Sequence, residues 1–120
     1  MGIRLQNQQY ILKNLTFNGC DACIYVYSVF VATLQGISFK NCNFGLDIGR
    51  NGSAGAISIV DSSVSQCDAG INAYVTGMAQ GSLVLDNFQV NSAAAVKSSD
   101  GATLLAGSVP PGQAWVMGNS

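Results

Sequence analysis

The segment Leu12-Lys-Asn-Leu15-Thr-Phe17-Asn-Gly-Cys20 returns, with substitutions, as Leu34-Gln-Gly-Ile37-Ser-Phe39-Lys-Asn-Cys42. The step from Cys20 to Cys42 is 22 residues, within the period of about 20–50 residues that marks stacked-repeat architectures. Two weaker copies follow, Ile59-Val-Asp-Ser62-Ser-Val64-Ser-Gln-Cys67 and Leu85-Asp-Asn-Phe88-Gln-Val90-Asn-Ser-Ala93. Anchored on Cys20, Cys42, Cys67 and Ala93, the columns stay in register. Five residues before the anchor stand Leu15, Ile37, Ser62 and Phe88; three before it stand Phe17, Phe39, Val64 and Val90. Ser62 is the one polar member of these columns.

The residues between the apolar columns are polar, which is the period of two of a strand with one face inward. Asp21, Asn43 and Asp68 directly follow the anchor, and such residues bond their own backbone and tolerate left-handed geometry. Each copy therefore reads as strand, tight corner placed just after the anchor, second short strand, and a Gly/Ser-rich return. The fold class predicted is all-β, a right-handed parallel β-helix of about four to five rungs without caps. The rival is a leucine-rich repeat, whose opening consensus fits Leu-x-x-Leu-x-Phe-x-x-Cys. That fold wants a helical or compact return, whereas this chain has no glutamate and 14 glycines, a poor composition for helices.

At 120 residues the chain forms at most one domain, read as a single β-helix segment over 1–120. Both ends of such a stack would expose unpaired strand edges, and no amphipathic capping helix is legible at either terminus. The expectation is thus an internal segment of a longer protein, prone to aggregate when isolated. Five scattered basic residues and a net charge of −1 argue against a nucleic-acid partner. No apolar run is long enough to span a membrane, and the first residues lack both a signal-peptide core and a myristoylation motif. Asn14-Leu-Thr16 and Asn51-Gly-Ser53 permit glycosylation along a secretory route.

Cys20 and Cys23 form a Cys-x-x-Cys. A zinc site wants four ligands, and the chain has no histidine and no second close cysteine pair. A stack of buried thiols is the expectation, with a Cys20–Cys23 or Cys20–Cys42 disulfide as the alternative. No metal or cofactor is expected. Among Asp47, Asp61, Asp68 and Asp86, corner and cap roles are favoured over an acid–base pair. Tyr10, Tyr25, Tyr27, Phe30, Tyr74 and Trp115 lie outside the inner columns and form either a sugar-stacking platform or, in part, another wall strand.

Asn7-Gln-Gln-Tyr10, the phrase from Leu12 to Cys20, Gly36-Ile-Ser-Phe-Lys-Asn-Cys42-Asn-Phe-Gly-Leu-Asp47, and the tail Ala114-Trp115-Val-Met-Gly118-Asn119 are similar to glycoside hydrolase family 55. The resemblance runs through nearly the whole chain. It implies a secreted, exo-acting β-1,3-glucanase of two tandem right-handed β-helices, with the glucan in the cleft between them. It further implies inversion, a general-acid glutamate in the second β-helix, and polar groups of the first holding the attacking water. The water-positioning glutamine would be Gln8 or Gln9, and a hydroxyl partner Thr33. The family's tryptophan-rich run between the first two rungs is replaced here by Tyr25-Val-Tyr-Ser-Val-Phe-Val-Ala-Thr33, which makes Tyr25 and Tyr27 the substrate-wall candidates. Implied partners are a β-1,3-glucan and the absent second β-helix; the general acid has no counterpart in the chain, so it should be inactive alone. A non-catalytic glycan-binding or structural β-helix is the alternative. Polygalacturonase and calcium-dependent lyase chemistry are disfavoured for want of histidine and of a carboxylate cluster.

Overall fold

A computed structural model describes residues 3–5, 9–26, 31–48, 55–74 and 82–117. Within these the chain is all-β. Its strands are β1 (Ile3–Leu5), β2 (Gln9–Lys13), β3 (Thr16–Asn18), β4 (Ala22–Val26), β5 (Val31–Gln35), β6 (Ser38–Lys40) and β7 (Phe44–Ile48), then β8 (Ala56–Ser65), β9 (Ala69–Ala73), β10 (Leu83–Asn91), β11 (Val96–Ser98), β12 (Thr103–Leu105) and β13 (Trp115–Val116).

Successive repeats add strands to the same two sheets. The first sheet runs β1-β4-β7-β9-β11-β12 and the second β13-β10-β8-β5-β2, with β6 also paired to β8 and β3 to β6. Neighbours from different repeats pair in parallel, in the register the columns predict: Phe17 opposite Phe39, Phe39 opposite Val64, Val64 opposite Val90. The Phe17 and Phe39 rings stack with centroids 5.7 Å apart. No helix occurs among the described residues, so the helical return of a leucine-rich repeat has no counterpart there.

The polar intruder Ser62 has a clear reason. It is buried, accepts the Ile37 N–H at 3.1 Å and donates to the Val60 carbonyl at 2.8 Å. A hydroxyl thereby satisfies backbone groups that a leucine would leave buried without a partner.

The bends differ from expectation. Asp21, Asn43 and Asp68 are not left-handed; the positive φ angles fall earlier. One column is Asn14 (57°), Gly36 (68°), Asp61 (51°) and Asn87 (51°), and a second is Gly19 (84°), Asn41 (55°) and Gln66 (55°). Each of the first three repeats therefore takes two left-handed turns ahead of its anchor cysteine, and the fourth takes one. Asp21, Asn43 and Asp68 stand exposed in the same corner as the second turn, where the Asn43 amide donates to Asp21.

The absence of caps is also corrected, at one end. Residues 101–117 reverse direction and lie antiparallel on the last repeat: β12 pairs with β11, β13 with β10, and Val109 bridges Phe88. Among the described residues nothing pairs with the outer edge of β1 or β2. Burial follows this asymmetry. Tyr10, Leu12, Leu15 and Phe17 are half-buried or nearly so, while their counterparts Ala32, Leu34, Ile37 and Phe39 are sealed.

Candidate functional site

Strands of the first sheet end at Val26, Ile48 and Ala73, and those of the second begin at Gln9, Val31, Ala56 and Leu83. These strand ends and starts define one corner between the two sheets, and the sequence-predicted site residues flank it. Gln9 opens β2 and Thr33 lies within β5. Both point outward, because the alternating Tyr10, Leu12, Ala32 and Leu34 pack on the core. The register sets Gln9 opposite Val31 and Thr33 opposite Ile11, so the two candidates are diagonal neighbours on one outer face. Ile11 is 71% exposed between them, an unusual place for an isoleucine.

Tyr25 stands on the other side of the corner, near the end of β4. It does not share a sheet with Gln9 and Thr33. Its register partner is Asp47, whose next partner is Asn72. These three form an outward row between the inward Ile24, Leu46 and Ile71 and the inward Val26, Ile48 and Ala73. Gln8 and Tyr27 lie outside the described residues.

Asp47 is the residue that sequence reasoning undervalued. It sits inside a strand, not at a corner or cap, and is only 2% exposed. The buried Asn72 amide donates to its carboxylate at 3.4 Å. Removing a carboxylate from water is costly without such partners, so the row Tyr25, Asp47, Asn72 is a designed polar seam. The signal was present: a polar column, Tyr25, Asp47 and Asn72, between two apolar ones. Period-two logic assigns that column to solvent and cannot foresee its burial.

Of the described aromatic residues, Tyr10 and Trp115 pack against the core and Tyr25 and Tyr74 are half-buried; Tyr27 and Phe30 lie outside the described residues. Tyr10 occupies an inward position because Gln9 and Ile11 take the outward ones. Elsewhere, the outer face of β8 and β10 carries a shallow depression lined by Ser63, Ser65, Gln89 and Asn91 with Val64 and Val90.

The four cysteines are free thiols, Cys20 half-buried and Cys23, Cys42 and Cys67 buried, and neither disulfide considered from the sequence is formed. The sulfurs of Cys20, Cys23 and Cys42 lie within 4.8 Å of one another. The Cys42 N–H donates to the Cys67 sulfur at 3.4 Å. Burial foremost, then the adjoining Cys42 and Cys20, pushes the Cys23 thiol well above its ordinary range. Burial also raises Cys67, partly offset by the Cys42 N–H. Three sulfurs can hold a thiophilic ion, one ligand short of a closed tetrahedral zinc site.

Along 95% of its length the chain is 31% identical to a probable glucan endo-1,3-beta-glucosidase of Arthroderma benhamiae, and along 98% it is 26% identical to a glucan 1,3-beta-glucosidase of Cochliobolus carbonum. The chain is similar to glucan 1,3-β-glucosidases. It spans only 14% and 16% of the length of these relatives. No profile of a known protein family matches it.

Proposed function

We propose that this chain is a segment of a longer, secreted β-1,3-glucan hydrolase of glycoside hydrolase family 55. The observation that carries this reading is similarity along 95–98% of the chain to two proteins named as glucan 1,3-β-glucosidases. The two sheets are then walls of a right-handed parallel β-helix, the hand favoured for every strand–crossover–parallel strand connection. Glucan passes along the corner flanked by Gln9, Thr33 and Tyr25, with Gln8 and Tyr27 in the adjoining segments.

The chemistry divides between this chain and the rest of the protein. Inverting hydrolysis needs a water held on the sugar face opposite the leaving group and an acid to protonate that group. Amide and hydroxyl groups of Gln8, Gln9 and Thr33 orient the water; being poor bases, they position it and leave activation to another group. Tyr25 and Tyr27 supply the sugar wall. The acid is a glutamate elsewhere in the protein, since this chain contains none.

Laminarin hydrolysis by the intact protein tests the reading. Gln9→Ala and Thr33→Ala should lower kcat by roughly tenfold to a hundredfold with little change in KM, as loss of water positioning does. Tyr25→Ala should raise KM. Unchanged kinetics in all three would remove the corner from the site. The second reading, a non-catalytic glycan-binding β-helix, draws on the hydroxyl- and amide-lined depression at Ser63, Ser65, Gln89 and Asn91. Laminarin binding by the intact protein without release of sugar would select it.

A further inference from the structure

We propose that Cys20, Cys23 and Cys42 form a thiol–disulfide relay that ends in a Cys23–Cys42 bond between the first two repeats. The sulfurs of Cys23 and Cys42 are 2.8 Å apart, within about 1 Å of the ~2.05 Å of a disulfide. Cys23 lies in β4 and Cys42 in the corner between β6 and β7, so the bond would join one repeat to the next. Cys20 completes the cluster within 4.8 Å and is the least buried of the three. A protein chain with one accessible thiol beside two sealed ones has an entrance and a terminus for exchange.

The oxidant is a small dissolved disulfide, such as oxidised glutathione. Cys20 loses its proton and attacks one sulfur of that disulfide; the first glutathione leaves as thiolate and takes up a proton. Cys23 then attacks the Cys20 sulfur, releasing the second glutathione and forming a Cys20–Cys23 bond. Cys42 finally attacks the Cys23 sulfur, and Cys20 departs as a thiol. In sum two protein thiols are oxidised, one small disulfide is reduced to two thiols, and Cys20 ends as it began. The thiolate is the attacking species in exchange, and access to the sulfur limits the rate. Cys23 is fully buried and Cys20 only partly so, so a dissolved disulfide reaches Cys20 first and delivery through Cys20 is the faster route.

A disulfide also suits the surroundings better than a metal ion. Three thiolates would place net negative charge beside a fully sealed Cys23, whereas the Cys42 thiol already directs its proton to the Lys40 carbonyl at 3.1 Å, and a disulfide is neutral. The proposal stands apart from the glucan reading, and its test does not involve sugar.

The test uses the intact protein, reduced and then exposed to oxidised glutathione, with denaturing alkylation and peptide mapping. Expected is a mass loss of about 2 Da from two hydrogens, with Cys23 linked to Cys42, and Cys20 and Cys67 alkylated. Cys20→Ser should reach the same bond about tenfold more slowly, since the direct route remains. A final Cys20–Cys23 bond, three surviving thiols under oxidation, or stoichiometric binding of zinc or copper(I) by the reduced cluster would each overturn the proposal. The map of the unsubstituted protein decides the matter even where a cysteine variant fails to fold.

Discussion

Gly36 shows how narrowly single positions are set in this chain. It holds φ at +68°, and a Cβ there would lie 2.5 Å from the Asn14 Oδ1 of the preceding repeat. Gly101 is also left-handed, at +96°, but a Cβ there meets nothing within 4 Å. Gly36→Ala adds contact with the tip of the Asn14 side chain to the backbone cost and should lose somewhat more than Gly101→Ala, which should lose about 1 kcal/mol. Denaturant unfolding of the two variants checks the order; equal losses would show that Asn14 moves aside without penalty. Asp100 gives a residue-scale dependence on pH. Its carboxylate accepts the Ser98 hydroxyl at 2.6 Å and the Ala102 N–H at 3.0 Å, and these bonds, the Ser98 one foremost, hold its carboxyl below the usual range. A depressed folded pKa contributes stability present above the unfolded value and lost as pH falls through the folded one. Ser98→Ala should move the Asp100 NMR titration midpoint upward; an unmoved midpoint would assign the depression to the backbone alone.

At the scale of elements, what was legible was what repeats. The inner columns fixed strand positions and register because Phe17, Phe39, Val64 and Val90 must share one face. The left-handed positions were misplaced: Asp21, Asn43 and Asp68 do stand in the corner after the anchor, but without a positive φ. The left-handed angles fall instead on Asn14, Asp61, Asn87, Asn41 and even Gln66, whose neighbours above and below enforce the shape. The cap over 101–117 left no periodic signature, since an antiparallel return is made once. Of the candidate site, Gln9 and Thr33 lie on one outer face, whereas the Asp47 seam was hidden by an alternation that normally means solvent. The cap itself can be tested at Val109, which is 3% exposed and exchanges two backbone hydrogen bonds with Phe88, at 2.9 and 3.0 Å. Val109→Asp would bury a charge under that bridge and should cost about 2–4 kcal/mol. Limited proteolysis should then cut first within 101–117, leaving the repeats intact for longer. Simultaneous cleavage throughout would mean that cap and repeats unfold as one unit.

For the molecule as a whole, the unequal ends decide how copies of the chain can meet. Where the last repeat closes, β12 and β13 run antiparallel to the stack and Val109 lies over Phe88. Where the first repeat begins, β1 and β2 present unpaired edges among the described residues, with Tyr10, Leu12, Leu15 and Phe17 only partly covered. An exposed edge backed by apolar side chains recruits another strand. Stacking of a first repeat on a last one would propagate indefinitely, as head-to-tail contacts do unless they close into a ring. The cap blocks that route, and what remains is a first repeat meeting a first repeat about a two-fold axis, which closes at two copies. The chain of residues 1–120 should therefore sediment as a monomer–dimer equilibrium that saturates with concentration. Leu15→Lys, which places a charge on the open end without entering the sealed core, should shift it to monomer. Species that keep growing with concentration would show that the cap opens and that the two ends do join.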